Sequence, residues 1–305
     1  MRTYRIVKKL GQCEDIHDFK GEVIKLLQSR IYRSLPYKAF CYKKYRGFFQ
    51  LSDYKATRVE KRFLYKYVSE DVAYKLLVLG GGIRFCEPTQ WDDQYESLYY
   101  TKGLVRSCPN LPEKLFVSCF TLRSENEAAW KSYITPKGDD FRTTLCFRLK
   151  VNRSKMISEL TKQYKGCNVY ESPVAYLTKY QISNMHRPGA LGVVNLHNSF
   201  FANGRKLDEV DYISLLSMKR NCFFYEDEVR YFIVPSRKES GCAEVYLKNP
   251  LQYVEKITVV RPYGKITEEE CEGVGFRLSQ NELNKLAKRL GVDQSLLESY
   301  NPYAL

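Results

Sequence analysis

The sequence predicts an α+β fold, and two observations carry that reading. Short runs rich in aromatic and β-branched residues, the composition of strands, recur between turn-forming residues. Separate segments place apolar residues three and four apart, the spacing of a helix with one buried stripe. The chain has 305 residues, 44% hydrophobic and 28% charged, so it can bury the core of one large domain or two smaller ones. No apolar run is long enough to span a bilayer as a helix.

In chain order, residues 18–34 read as a helix, with Val23, Leu26, Leu27 and Ile31 on one stripe and Pro36 beyond it. Leu64–Val68 reads as a strand. Ser69 is placed to cap a helix over Glu70–Leu79, whose stripe is Val72, Leu76 and Leu77. Gly80-Gly81-Gly82 ends that helix, because glycine accepts the left-handed conformation that follows a last turn. The triple glycine follows a helix rather than a strand and lacks phosphate-loop spacing, so it is not a nucleotide loop. Ile83–Cys86 is a strand, Pro88–Glu96 a loop, and Leu115–Thr121 a strand. Asn126–Ile134 is a short helix with Trp130 and Tyr133 one turn apart. Strands over Thr143–Val151 and residues 168–176 flank a helix over residues 153–164. Residues 177–204 have the least regular pattern and read as a lid or substrate loop; its His186 and His197 sit in no metal-ligand spacing. A helix is expected over residues 205–220.

The most informative strand is Phe223–Val234, closed by Pro235. Alternation puts Glu226, Glu228 and Arg230 on one face, with Phe224 and Phe232 at its ends. Two carboxylates side by side repel, and that arrangement needs a cause. Either Arg230 pairs with Glu228 on a solvated face, or the carboxylates line a cleft as an acid–base pair. Further on, Ala243–Leu247 and Val254–Val260 are strands. Thr267-x-x-Glu270 and Ser279-x-x-Glu282 are capping boxes that start two helices. The second places Leu283, Leu286 and Leu290 on one face, and Asp293–Leu305 reads as a last short helix and a tail.

Charge is the strongest global signal. Lysine and arginine number 49 against 35 acidic residues, a net charge of +14. A field of that sign steers polyanions inward. From Tyr37 to Lys66, nine basic residues, Lys43, Lys44 and Arg46 among them, meet only two acidic ones, and seven aromatic rings are interleaved from Tyr37 to Tyr54. Cations neutralise phosphates and rings stack on bases, so the stretch fits a nucleic-acid contact; it fits equally well core rings with a solvated lysine face. The ten cysteines are scattered, without C-x-x-C or an adjacent histidine, which speaks against zinc and against a disulfide scaffold. Met1–Lys9 lacks the apolar core of a signal peptide, so a cytoplasmic location is expected.

Four separated patches belong together. They are Tyr65-Lys66-Tyr67, Asp92-Asp93-Gln94-x-Glu96, Ser118-x-Phe120 followed by Trp130-x-x-Tyr133, and Tyr225-Glu226-x-Glu228-x-Arg230. Jointly they resemble an uncharacterised bacterial domain family with a basic residue before tyrosine, an Asn-Asp-Pro-x-Glu loop, a Trp-x-x-Tyr helix and a Glu-x-Glu-x-Arg strand. Their order also resembles the core of ADP-ribosyltransferase toxins, which use an early Arg or His with Tyr, a middle strand with Ser and a late strand with the catalytic Glu. Lys66 stands where those transferases have Arg or His, and Asp92 and Gln94 replace the Asn and Pro of the loop, leaving Asp93 and Glu96 as its matching residues. The resemblance covers roughly residues 62–262. It implies an ADP-ribosyltransferase-like core with a split, mostly antiparallel sheet, preceded by a basic, aromatic extension (residues 1–61) and followed by C-terminal helices (residues 263–305).

What the resemblance implies is NAD-dependent ADP-ribosyl transfer to a nucleic acid, RNA before DNA, by a toxin or anti-phage effector restrained by an antitoxin. The transition state of that reaction is a ribose oxocarbenium ion, which needs negative charge near the sugar. Glu228 would supply it while holding the ribose 2′-hydroxyl, and Glu226 would take the acceptor's proton. Lys66 would hold the NAD diphosphate, Tyr67 or Tyr133 would stack on nicotinamide, Ser118 would bond the amide or ribose, and Arg230 would orient Glu228. Asp93 and Glu96 would shape the pocket or assist the acceptor, or would simply form an Asx-type turn with Glu96 paired to a lysine. Two other functions would use the same side chains. A metal-dependent nuclease would hold Mg²⁺ on Asp92, Asp93, Glu226 and Glu228. A non-catalytic nucleic-acid-binding module would use the acidic strand as structure only.

Overall fold

The computed structural model describes residues 62–91, 115–125, 129–130, 145–177, 213, 216–235, 244–260 and 277–300, and the backbone of residues 49–50. The basic stretch with Lys43, Lys44 and Arg46, the loop with Asp92, Asp93 and Glu96, and Tyr133 lie outside the described residues, as do the residues 18–34 and Thr267–Glu270. Among the described residues the fold is α+β, with a mostly antiparallel sheet. No helix among them is long and apolar enough to cross a membrane.

The elements run β1 (Phe49–Gln50), β2 (Phe63–Ser69), α1 (Glu70–Leu77), β3 (Ile83–Cys86), β4 (Phe116–Thr121), β5 (Cys146–Asn152), α2 (Arg153–Gln163), β6 (Asn168–Pro173), β7 (Ala175–Leu177), β8 (Met218–Arg220), β9 (Glu228–Val234), β10 (Glu244–Leu247), β11 (Val254–Val260), α3 (Gln280–Leu290) and β12 (Leu297–Ser299). Ten of these strands form one sheet in the order β1-β6-β9-β4-β2-β5-β11-β12, with β3 between β4 and β10. Every pairing in it is antiparallel except that of β11 with β12. β7 and β8 make a separate two-stranded parallel sheet.

The sheet is sparsely paired along the β4 edge that faces β2 and β3. β2 runs alongside β5 from Phe63↔Asn152 to Ser69↔Cys146, but it touches β4 in register only at Tyr65↔Thr121. At the other end of the same β4 edge, Val117 pairs with Cys86 of β3. Among the described residues the middle of that edge has no strand partner, and a backbone carbonyl left there must be satisfied by something else. Lys66 does this, donating from Nζ to the Cys119 carbonyl at 2.9 Å.

The three α-helices among the described residues lie on one face of the sheet. Ala73 and Leu76 of α1, Met156, Ile157 and Leu160 of α2, and Leu283, Leu286, Ala287 and Leu290 of α3 join one core cluster with Leu64, Phe120, Leu149, Tyr231 and Ile257 from the strands. Each fully buried leucine or isoleucine contributes about 2 kcal/mol. α3 forms as its sequence requires: Ser279 and Glu282 make the reciprocal capping box, and Gly291 closes the helix at φ 63°. α1 differs from expectation. Its buried stripe is Ala73 and Leu76, Val72 is 42% exposed, and the helix ends at Leu77 rather than Leu79.

Three further expectations are corrected. The helix expected over residues 205–220 gives way at its end to strand β8, which pairs with β7. After Asp293 the short helix is a 3₁₀ turn at Gln294–Leu296, and it is followed by a strand that was not expected, β12 beside β11; residues 301–305 lie outside the described residues. The strand expected over Phe223–Val234 begins only at Glu228; Asn221–Glu226 is a 3₁₀ turn and Asp227 is left-handed, with φ 44° and ψ 53°. Aspartate tolerates that conformation better than most residues, and the kink cannot be read from β propensity.

The triple glycine works as expected, with one addition. Gly82 lies at φ +77°, and a Cβ there would stand 2.1 Å from the Leu247 carbonyl oxygen of β10. Gly80 has φ +67° but open space around it. Gly80→Ala is therefore expected to cost about 1 kcal/mol, the conformational penalty alone, and Gly82→Ala about 3 kcal/mol or more, because backbone must move as well. Urea denaturation of both variants checks this; equal losses would show that the close approach at Gly82 is not felt.

Candidate functional site

β9 is buried along its whole length, on both faces. The helix-side face carries Val229, Tyr231 and Ile233 into the core. The opposite face carries Glu228 and Arg230, 6% and 0% exposed. Register puts Thr121 beside Glu228, and Cys119 and Ser172 beside Arg230, on that second face. An ionised carboxylate so enclosed is stable only with direct compensation.

Compensation is dense. Arg230 Nε donates to Glu228 Oε1 at 2.7 Å and Arg230 Nη2 to Oε2 at 3.2 Å. Lys219 Nζ, from β8, lies 3.2 Å from the same Oε2. The neighbouring Cys119 thiol also favours the ionised carboxylate. Burial alone would raise the Glu228 pKa, but Arg230 and Lys219 outweigh it and hold the group at about 2. Glu228 is thus an anion across the physiological range and cannot serve as a proton donor. The Cys119 thiol, pushed well up by burial and then by Glu228, stays protonated.

Glu226 does not share the strand with Glu228, yet the two carboxylates do meet. Glu226 closes the 3₁₀ turn, and Lys219 Nζ donates to its Oε2 at 2.6 Å, so one ammonium spans both acids. Tyr176 of β7, in register with Lys219, accepts from the Glu228 backbone N–H through its hydroxyl at 2.8 Å. Burial raises the Tyr176 pKa strongly, so that hydroxyl remains neutral. On the other side, the Arg230 guanidinium lies 4.4 Å from the centroid of the Trp91 ring. Trp91 directly precedes Asp92, so the chain enters the loop of Asp93 and Glu96 from this point. Of the two readings of the acidic strand, Arg230 does pair with Glu228, but in a buried position rather than on a solvated face.

Lys66 and Ser118 meet too, Nζ donating to Oγ at 3.1 Å. Ser118 belongs to the helix-side face, in register with Tyr231, whereas Glu228 belongs to the other. The Lys66 ammonium occupies the gap between β2 and β4, 5.0 Å from the Phe120 ring centroid. Burial lowers its pKa, and Cys119, Cys86 and Glu228 pull the other way. The sequence-predicted residues therefore fall into two linked groups. Lys66 and Ser118 stand at the split, Glu226, Glu228 and Arg230 stand on the outer face, and Cys119 joins them, its carbonyl to Lys66 and its thiol to Glu228.

Tyr67 lies elsewhere. It packs edge-on to Trp130 at 4.7 Å between centroids, in a cluster around Arg148 that also includes Tyr65 and Tyr300. Arg148 is bound there by Glu125, by the Ser124 carbonyl and, at 3.0 Å, by Thr258 Oγ1. Sequence reasoning missed Lys219, Tyr176, Cys119 and Trp91. Only Trp91 carried a signal, its place at the head of the acidic loop.

Glu228→Gln removes a charge that two buried cations depend on, so the variant is expected to lose about 3 kcal/mol or more at neutral pH. The sign follows from the depressed pKa: the contribution is full above about pH 4.5 and fades as pH falls toward 2. Unfolding curves of wild type and variant should converge over that acid window. A gap that stays constant down to the lower limit would mean that the carboxylate is not held as an anion.

No family model matches the chain, no curated protein matches it, and no solved structure matches it.

Proposed function

We propose that this chain transfers ADP-ribose from NAD to a nucleic acid, RNA in preference to DNA, and acts as a toxin or anti-phage effector restrained by an antitoxin. The observation that carries the reading is the carboxylate pair of Glu226 and Glu228, bridged by Lys219, with Glu228 held as a permanent anion. A permanent anion suits the stabilisation of a ribose oxocarbenium ion and does not suit general acid catalysis. In the proposed step the bond between nicotinamide nitrogen and ribose C1′ breaks, and nicotinamide leaves with the electron pair. The acceptor oxygen or nitrogen bonds C1′ and gives its proton to Glu226. A ribose 2′-hydroxyl would donate to Glu228 Oε1, which accepts from Arg230 Nε, while Oε2 keeps Arg230 Nη2 and Lys219 Nζ, each 3.2 Å away. Arg230, wholly buried, keeps the carboxylate oriented.

Lys66 supports the site differently from a simple diphosphate clamp. Its ammonium is already used by Ser118 and the Cys119 carbonyl, so holding NAD phosphates would mean giving up one of these bonds. Its first contribution is to keep β4, and with it Cys119, in place against Glu228.

The metal-dependent nuclease reading is less well supported, because Lys219 stands where a divalent ion bridging Glu226 and Glu228 would have to stand. Incubation of the protein with NAD and RNA, with and without EDTA, tests the choice. Nicotinamide release and an RNA mass increase of one ADP-ribose, both insensitive to EDTA, are expected. NAD-independent RNA cleavage that EDTA abolishes would favour the nuclease, and the absence of both activities would favour a binding module.

Glu226 is the cleaner acid to change, since its side chain is 26% exposed against 6% for Glu228. Glu226→Gln is expected to block transfer by about a hundredfold or more while leaving slow hydrolysis of NAD to ADP-ribose. Equal loss of both activities would show the carboxylates acting as one unit. Replacing Lys43, Lys44 and Arg46 by alanine together should weaken RNA binding on every sequence alike and flatten the slope of log affinity against log salt by about 0.7 per lost contact. An unchanged slope would make that stretch a solvated surface only.

A further inference from the structure

We infer that Lys219 is a positioning residue of the site, carried on the β7/β8 pair so that its ammonium fixes Glu226 and Glu228 together at the start of β9. Three features support this. First, the lysine is enclosed, its side chain 11% exposed, and its Nζ reaches one oxygen of each acid, at 2.6 Å and 3.2 Å. Second, β7 and β8 pair parallel outside the main sheet, and the facing residues Tyr176 and Lys219 both reach Glu228, one through its backbone N–H and one through its carboxylate. Third, the acids themselves cannot fix their spacing. Left-handed Asp227 separates the 3₁₀ turn from the strand, so Glu226 and Glu228 are not locked by one regular element.

Several elements among the described residues bring groups to the pair. β9 brings Arg230, β4 the Cys119 thiol, β2 the Lys66 ammonium, β7 Tyr176 and the turn Tyr225. Arg230 serves Glu228; the ammonium that reaches both acids is that of Lys219. Two carboxylates this close repel unless a cation lies between them, and one would otherwise hold its proton at higher pH. Lys219 therefore keeps Glu226 ionised beside an ionised Glu228, which a proton acceptor at that position requires. That last role rests on the transfer reading above; the positioning itself does not.

Carboxyl-carbon NMR titration without NAD tests the positioning. In Lys219→Met the Glu226 midpoint should rise by about one pH unit or more, and Lys219→Arg should restore it toward wild type. An unchanged midpoint in Lys219→Met would overturn the inference. Should Lys219→Met not fold, the wild type gives a second readout. The Lys219 side-chain nitrogen resonance should follow the Glu226 carboxyl with one shared midpoint, and independent midpoints would overturn the inference. With NAD and RNA, ADP-ribosyl transfer by Lys219→Met should lose about tenfold or more in kcat with KM little changed, its pH profile displaced upward, and Lys219→Arg should recover most of the rate. A wild type that releases no nicotinamide would refute the transfer reading and leave the titration to decide the role of Lys219.

Discussion

A carboxylate buried in the middle of a sheet dictates what must surround it. Glu228 is 6% exposed and ionised, and the cost of that burial is offset only because Arg230 and Lys219 are brought against it. Much of the local architecture follows. Arg230 can reach Glu228 because the two stand on one face of β9, two residues apart. Lys219 can reach it because β8 is tied to β7. Leu216, which precedes β8, accepts from Arg230 through its carbonyl, so the approach to β8 is fastened to the same guanidinium. Trp91 closes the other side of that cation.

β9 carries a second polar cluster on its helix-side face, and the contrast is instructive. Tyr231 donates to Glu171 of β6 at 2.5 Å, and Arg153, the first residue of α2, donates to Glu171 Oε2 at 2.8 Å. All three are under 5% exposed. One acid meets one base there, and the cluster pins α2 to the sheet within an otherwise apolar core. On the outer face the balance is different: two acids meet Lys219 and Arg230, with Lys66 close by in the gap. A closed triad suffices for holding layers together. An open set of charges, one of whose acids is about a quarter exposed, is better suited to meeting a charged substrate.

Much of the fold was legible because local signals and tertiary structure agree. The Ser279-Glu282 box, the leucines of α3, and strands β2, β3, β10 and β11 follow from caps and composition. The failures have physical causes. β8 has three residues, and only its pairing with β7, more than forty residues earlier, makes Met218–Arg220 a strand. β12 likewise exists because β11 offers an edge. Phe223–Tyr225 has strong β propensity, but the left-handed Asp227 interrupts the ladder before it. The site was half legible. Glu226, Glu228 and Arg230 share a short motif, whereas Lys219 and Tyr176 act through a pairing that no local pattern encodes.

The proximity of Glu226 and Glu228 was expected for one reason and arises from another. Strand alternation would have fixed their separation by backbone geometry alone, with both side chains rigid on one face. The kink at Asp227 frees Glu226 from that ladder; its own carbonyl is instead bound by the Thr121 hydroxyl, and the Asp227 carbonyl accepts from Leu122 N at 3.0 Å. Glu226 is thus held from β4 through its backbone and from β8 through its carboxylate. Glu228 is rigid in a strand and held by Arg230 and Lys219; Glu226 stands on a turn and is more open. A fixed anion beside a more accessible one is a division of labour that two adjacent positions of a regular strand could not provide. The 3₁₀ turn, absent from any reading based on alternation, is what separates the two carboxylates in environment while Lys219 keeps them together in space.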